Sequence, residues 1–167
     1  FKIKTDSNKY QSESVIIATG AEVMWLGLEN ETRLRGKGVT ACATCDGFFF
    51  KDLDIVVIGG GDSAMEEANF LTKFGKTVTI VHRRDEFKAS KIMLKRAQDN
   101  PKISFITDVT VTDILGKDSM EGIRIKDNKT GEERDVAAQG YFVAIGHSPA
   151  SKVFAEASKR INSNDNF

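Results

Sequence analysis

The stretch from Ile55 to Val81 places the tightest limits on how this chain can fold. Ile55-Val56-Val57-Ile58 is a β-branched apolar run, too short for a helix and suited to a strand buried on both faces. A glycine-rich turn follows, and then the period changes. Ala64, Ala68, Leu71 and Phe74 recur at helical spacing, and Gly75 stands where a helix C-cap belongs. Thr77-Val78-Thr79-Ile80-Val81 reads as the next strand. Strand, helix and strand in so short a span require a right-handed crossover between parallel strands. An α/β chain with a parallel sheet is predicted.

The turn after the first strand, Gly59-Gly60-Gly61-Asp62-Ser63-Ala64, satisfies the pattern G-x-G-x-x-A. Gly59 makes the tight turn, Gly61 lets a pyrophosphate approach the backbone, and Ala64 lets helix and strand pack closely. Phosphates would then sit on the free N–H groups at the helix start, where the helix dipole favours negative charge. The plainer alternative is a purely structural turn. Which dinucleotide would bind is set at the end of the second strand. An NAD site calls for an acidic residue about 20 positions on, to accept from the ribose 2′-hydroxyl. This chain instead has Val81-His82-Arg83-Arg84, with Lys88 one turn further. Two guanidiniums and an ammonium suit a dianionic 2′-phosphate, so NADPH is expected over NADH. Otherwise these cations form a solvated turn paired with Asp85 and Glu86.

The two cysteines both lie in Cys42-Ala43-Thr44-Cys45, followed by Asp46. A bridge there closes too small a loop to act as a folding staple. The only histidines, His82 and His147, are far apart and make no zinc pair, so no metal site is expected. The spacing therefore reads as redox. Cysteines at i and i+3 at a helix start form a small disulfide in which the helix terminus activates one sulfur. Asp46 is placed to exchange a proton with the thiol that leaves. A pair of buried structural thiols is the alternative. NADPH delivers electrons as hydride, and a disulfide normally needs an intermediary such as flavin to receive them.

Other function classes fall away on charge and hydropathy. With 24 basic and 24 acidic residues the formal net charge is zero, which offers no field for nucleic acid or an anionic membrane. The basic stretch Arg83 to Arg96 contains one aromatic residue, Phe87. No apolar run approaches the about 18 residues of a membrane helix, since Ser14 to Leu28 is broken by Thr19, Gly20 and Glu22. The chain opens on Phe1-Lys2-Ile3-Lys4 rather than on a signal-like apolar block, and without an initiator Met, which suggests a piece of a longer protein.

Elsewhere the punctuation predicts further elements. Phe1 to Thr5 alternates, Asp6-Ser7-Asn8 is a turn, and Val15-Ile16-Ile17-Ala18 is taken as the paired strand, ending at Thr19-Gly20-Ala21. Glu29 to Gly38 is the best linker candidate. A helix is predicted over Phe87 to Gln98, stopped by Asp99-Asn100-Pro101. Short alternating strands follow at Ile103 to Ile106, Val109 to Ile114 and Ile123 to Ile125. A last apolar run, Tyr141 to Ile145, ends on Gly146, and a polar tail from Ser158 to Asn166 is expected to fray.

Four motifs in order, Ala-Cys-Ala-Thr-Cys-Asp-Gly-Phe (41–48), Val-Ile-Gly-Gly-Gly-Asp-Ser-Ala (57–64), His-Arg-Arg-Asp (82–85) and Phe-Val-Ala-Ile-Gly-His-Ser-Pro (142–149), resemble the low-molecular-weight thioredoxin reductases. A peroxide-reductase flavoprotein relative carries a different C-x-x-C interior, so Ala43-Thr44 favours the thioredoxin enzyme. The resemblance implies that Cys45 faces a flavin, that Cys42 attacks the thioredoxin disulfide and that Asp46 is the acid/base. It implies that Arg83, Arg84 and Lys88 hold the 2′-phosphate, with His82, Ile145 and Gly146 also at the nucleotide. In that family the last cation is usually arginine, and Lys88 offers a point charge in place of a fork. Ala150 stands where asparagine is common. The family's FAD motifs are absent, so FAD is expected in the parent enzyme, a cytoplasmic homodimer, and not stably on this chain. The implied architecture is a three-layer Rossmann-like domain of helices, parallel sheet and β-meander. Its implied boundaries are a flavin-domain remnant at 1–24, an NADPH domain at 25–146 and a truncated return to the flavin domain at 147–167. A free-standing NADP(H)-binding module without turnover is the rival class.

Overall fold

In the computed structural model, which describes residues 1–154, the sheet, its two covers and the glycine turn follow from an alternation in the central strands. In chain order the elements are β1 (Lys2–Lys4), β2 (Lys9–Gln11), β3 (Ala21–Val23), α1 (Glu29–Arg33), β4 (Val39–Thr40), α2 (Ala43–Asp46) and a 3-10 turn (Gly47–Phe50). Then come β5 (Asp54–Ile58), α3 (Asp62–Leu71), β6 (Thr77–Val81), α4 (Lys91–Gln98), β7 (Ile103–Ile106), β8 (Val109–Leu115) and β9 (Gly122–Asp127). The last are β10 (Glu133–Ala137), β11 (Gly140–Val143), β12 (His147–Pro149) and a 3-10 turn (Lys152–Phe154). The chain divides into two compact units. One is Val23–Gly146; the other comprises Phe1–Glu22 and the residues from His147 onward.

In the unit Val23–Gly146 the main sheet has the order β4-β11-β5-β6-β7 with every pairing parallel. Its central strands are apolar on both faces because each face has a cover. Ile55 and Val57 pack with Ala64, Met65, Ala68 and Leu71 of α3. Val56 and Ile58 point the other way, into Val111, Ile114, Ile123 and Ile125 of an antiparallel meander ordered β10-β9-β8. The predicted three layers are present. In the other unit β1 pairs antiparallel with β2, and β3 lies beside β12.

Several local expectations need correction. The partner of β1 is Lys9–Gln11, not Val15–Ala18, which forms no strand and leaves Ile16 93% exposed. The supposed linker Glu29–Gly38 contains α1, fixed by Asn30 donating to Asp113 Oδ1 (2.9 Å) and Arg33 donating to the Gly116 carbonyl (2.6 Å). Gly75 is not a left-handed cap: α3 ends at Leu71, and Gly75 is small because a Cβ there would meet Ile55 Cδ1 at 2.7 Å. The helix expected from Phe87 begins only at Lys91, capped by Ser90. Ile103–Ile106 joins the parallel sheet as its edge and is not part of the meander. The meander's third strand, β10, was not predicted. The expected frayed tail lies outside the described residues.

Candidate functional site

The carboxyl ends of β5, β6 and β11 open onto one cavity of about 480 Å³, within the usual range for a small-ligand pocket. The glycine turn forms its floor. A Cβ on Gly59 would collide with the Ala144 carbonyl and come within 2.9 Å of Ala64 Cβ, so strand end, helix start and β11 close tightly there. Gly61, in contrast, has open space where a side chain would stand, which keeps the backbone accessible. It is also the N-cap of α3, and no side chain caps that end. The first N–H groups of a helix lack intrahelical acceptors, so they are free for an anion.

The cation-bearing segment is fastened beside this turn. The amides of Lys88 and Ala89 both donate to the Gly60 carbonyl (2.8 and 3.1 Å), and the Ser90 amide donates to Asp62 Oδ1 (2.7 Å). These bonds explain why α4 starts late: residues 88–90 spend their N–H groups on the glycine loop. His82 packs under Gly60, leaving no room for a Cβ, and stacks on Phe87 at 5.2 Å. A ring nitrogen lies 3.1 Å from the Glu86 carbonyl. Burial lowers the His82 pKa, against that bond, and Arg83 and Arg84 lower it further, so the ring is a neutral spacer at neutral pH. Arg83, Arg84 and Lys88 are exposed and line the cavity. Among the described residues, none of the three forms an ion pair, not even with Asp85 or Glu86.

Of the residues singled out in the sequence, Gly59, Gly60, Gly61, Ser63, His82, Arg83, Arg84, Lys88, Ile145 and Gly146 line this cavity. Asp62 and Ala64 do not; they hold Ser90 and the helix–strand contact instead. Met24 and Leu26, between β3 and α1, and Thr110, near the start of β8, line it and were missed, since these segments carry no motif.

Cys42, Cys45 and Asp46 do not line the cavity. Cys45 and Asp46 lie on α2 and Cys42 precedes it; α2 packs against α3. Cys42 and Cys45 form a disulfide with Cα atoms 5.3 Å apart. Cys42 is the N-cap, and its Sγ accepts the Cys45 amide at 3.2 Å. Cys45 is exposed and Cys42 half-buried. Thr40, unmarked by the sequence, accepts the Cys42 amide (3.2 Å) and donates to Asp46 Oδ2 (2.5 Å). Phe48 and Phe49, directly beyond, are 68% and 75% exposed.

A glycine turn with unpaired cations and a C-x-x-C disulfide therefore occur in one unit, and the family model for pyridine nucleotide-disulphide oxidoreductases matches residues 1–167. The chain belongs to that family. Within this oxidoreductase family the chain is similar to the thioredoxin reductase of Mycolicibacterium smegmatis, 56% identical over 144 residues, 86% of this chain and 46% of that protein. It is 53% identical to the bifunctional thioredoxin reductase/thioredoxin of Mycobacterium leprae, over 92% of this chain and 34% of that protein. Among solved structures it resembles Lactococcus lactis thioredoxin reductase in its FR conformation. The TM-score is 0.85 at 42% identity, covering 93% of this chain and 52% of that one. The chain thus spans about half the length of most curated relatives it matches.

Proposed function

We propose that this chain is the NADP(H)-binding and dithiol-carrying portion of a cytoplasmic thioredoxin reductase. The observation that carries the reading is the trio Arg83, Arg84 and Lys88, without ion-pair partners among the described residues and lining one cavity with an open glycine turn, to which the Lys88 amide is tied. Three cations in the loop after β6 suit the charge of a 2′-phosphate, which a bare ribose lacks. The α3 N-terminus and the Gly61 backbone take the pyrophosphate. NADPH, when bound, supplies the electrons as hydride, and a flavin belonging to the complete reductase passes them on. We read residues 1–24 and 147–167 as edges of that flavin domain, so turnover belongs to the complete reductase.

The chain's own redox work is thiol–disulfide exchange. In the dithiol state the Cys42 thiolate attacks a sulfur of the partner disulfide and forms a mixed disulfide. Cys45 then attacks Cys42, restoring the Cys42–Cys45 bond and releasing the partner as a dithiol. Two thiolates leave the partner in turn: the first takes a proton from solvent, and the second takes from Asp46 the proton that Cys45 gives up as it attacks. Phe48 and Phe49 give the disulfide an apolar border of the kind a protein partner covers. Single-cysteine variants test this. Cys45→Ser is expected to trap thioredoxin through Cys42, in a mixed disulfide that dithiothreitol releases, and Cys42→Ser is expected to trap far less. Equal trapping, or none, removes the assigned roles.

A further inference from the structure

Glu31 is the one buried charged side chain recorded among the described residues, at 0% exposure, and neither nucleotide binding nor thiol exchange as described above uses it. Its carboxylate is fully engaged. Oε1 accepts the Leu26 amide (3.2 Å) and the Tyr141 hydroxyl (2.8 Å), and Oε2 accepts the Gly27 amide (2.9 Å). Gly27 has φ +83°, a left-handed turn that aims two successive N–H groups at one carboxylate. Burial and the Glu31 charge hold the Tyr141 hydroxyl well above its ordinary pKa, so it stays a donor. Tyr141 lies on β11, in register with Val56 of β5. Glu31 therefore ties the segment before α1 to the sheet.

That segment is part of the cavity. Met24 and Leu26 line it, and the Met24 amide donates to the Gly146 carbonyl at 3.0 Å. The segment is thus held at one end by β11's exit and at the other by Glu31. The cations follow β6, the glycine turn follows β5, and Ile145 and Gly146 follow β11; in the sheet β5 stands between β6 and β11. A dinucleotide with its 2′-phosphate on the cations and its pyrophosphate on the glycine turn must extend its nicotinamide half toward β11. There the wall is Met24, Leu26, Ile145 and Gly146. We propose that Glu31 is a positioning residue for the nicotinamide half of the pocket, acting through the backbone of Leu26 and Gly27. The inference rests on the NADP(H) reading above.

Glutamine at position 31 offers one acceptor oxygen where the carboxylate offers two. One of the two amides then loses its partner and the wall shifts. Calorimetry with NADP⁺ and with 2′,5′-ADP, which has the phosphate end but no nicotinamide, separates this role from a general loss of structure. Glu31→Gln is expected to weaken NADP⁺ about tenfold, the size of one lost hydrogen bond to a charged group, and 2′,5′-ADP by less than about twofold. Tyr141→Phe keeps the carboxylate and both amide bonds, so its fold is the safer of the two; it is expected to weaken NADP⁺ alone, by about threefold. Equal losses for both ligands, or no loss for either, overturn the positioning role. A wild-type chain that binds neither ligand overturns the nucleotide reading and this inference with it.

Discussion

Glu67 shows how a single side chain on a well-packed helix can carry a pH dependence. It lies on α3 with Oε2 buried and without a hydrogen-bond partner. Burial first, and then the charge of Glu66, push its pKa from 4.5 up to about 7. The folded chain therefore holds a proton that the unfolded chain releases between these two values. Its contribution to stability is fully present below the lower value and is lost as pH rises through the upper one. The group is partly solvated, so the loss is about 1–2 kcal/mol rather than the full shift. Denaturant midpoints of wild type and Glu67→Gln at about pH 5 and about pH 8 check this. The wild type is expected to fall behind the variant at the higher pH; parallel profiles would show that the carboxyl is solvated.

The glycine turn, β6 and the loop after it behave as one assembled element, because Gly60 supplies both the space for His82 and the carbonyl for two amides. Gly60→Ala is expected to displace His82, loosen residues 83–88 and weaken NADPH by more than about tenfold, with helix content by circular dichroism unchanged. Intact affinity would mean that the loop is held by other contacts. The strand, glycine turn and helix were legible in the sequence because two periodicities meet there, a β-branched run and a helical repeat around glycines; the loop held on Gly60 was not, and its last residues were read as helix. The misreadings have physical reasons too. α1 is only five residues long and buries a glutamate, so nothing apolar marked it. β10 is mostly exposed and polar, and is a strand only because β9 pairs with it. Gly75 answers to a neighbour across the fold, Ile55, which local spacing does not reveal. Glu31 likewise acts through a contact far along the chain, Tyr141, whereas Thr40 borders the cysteine motif and is marked only by its side-chain bonds to Cys42 and Asp46.

The unit Val23–Gly146 contains both packed faces of the parallel sheet, the cavity and the Cys42–Cys45 disulfide. The proposed nucleotide binding can therefore be tested on this chain, although it spans only 46% of its Mycolicibacterium relative. The central claim is that the unpaired trio Arg83, Arg84 and Lys88 selects a 2′-phosphate. Calorimetry of the wild-type chain with NADPH and with NADH, repeated on Arg83→Ala, tests it most directly. The wild type is expected to favour NADPH by about 10–150-fold, the range for losing one charge-assisted contact, and Arg83→Ala to lose most of that preference. Equal affinity of the wild-type chain for both nucleotides would contradict the claim.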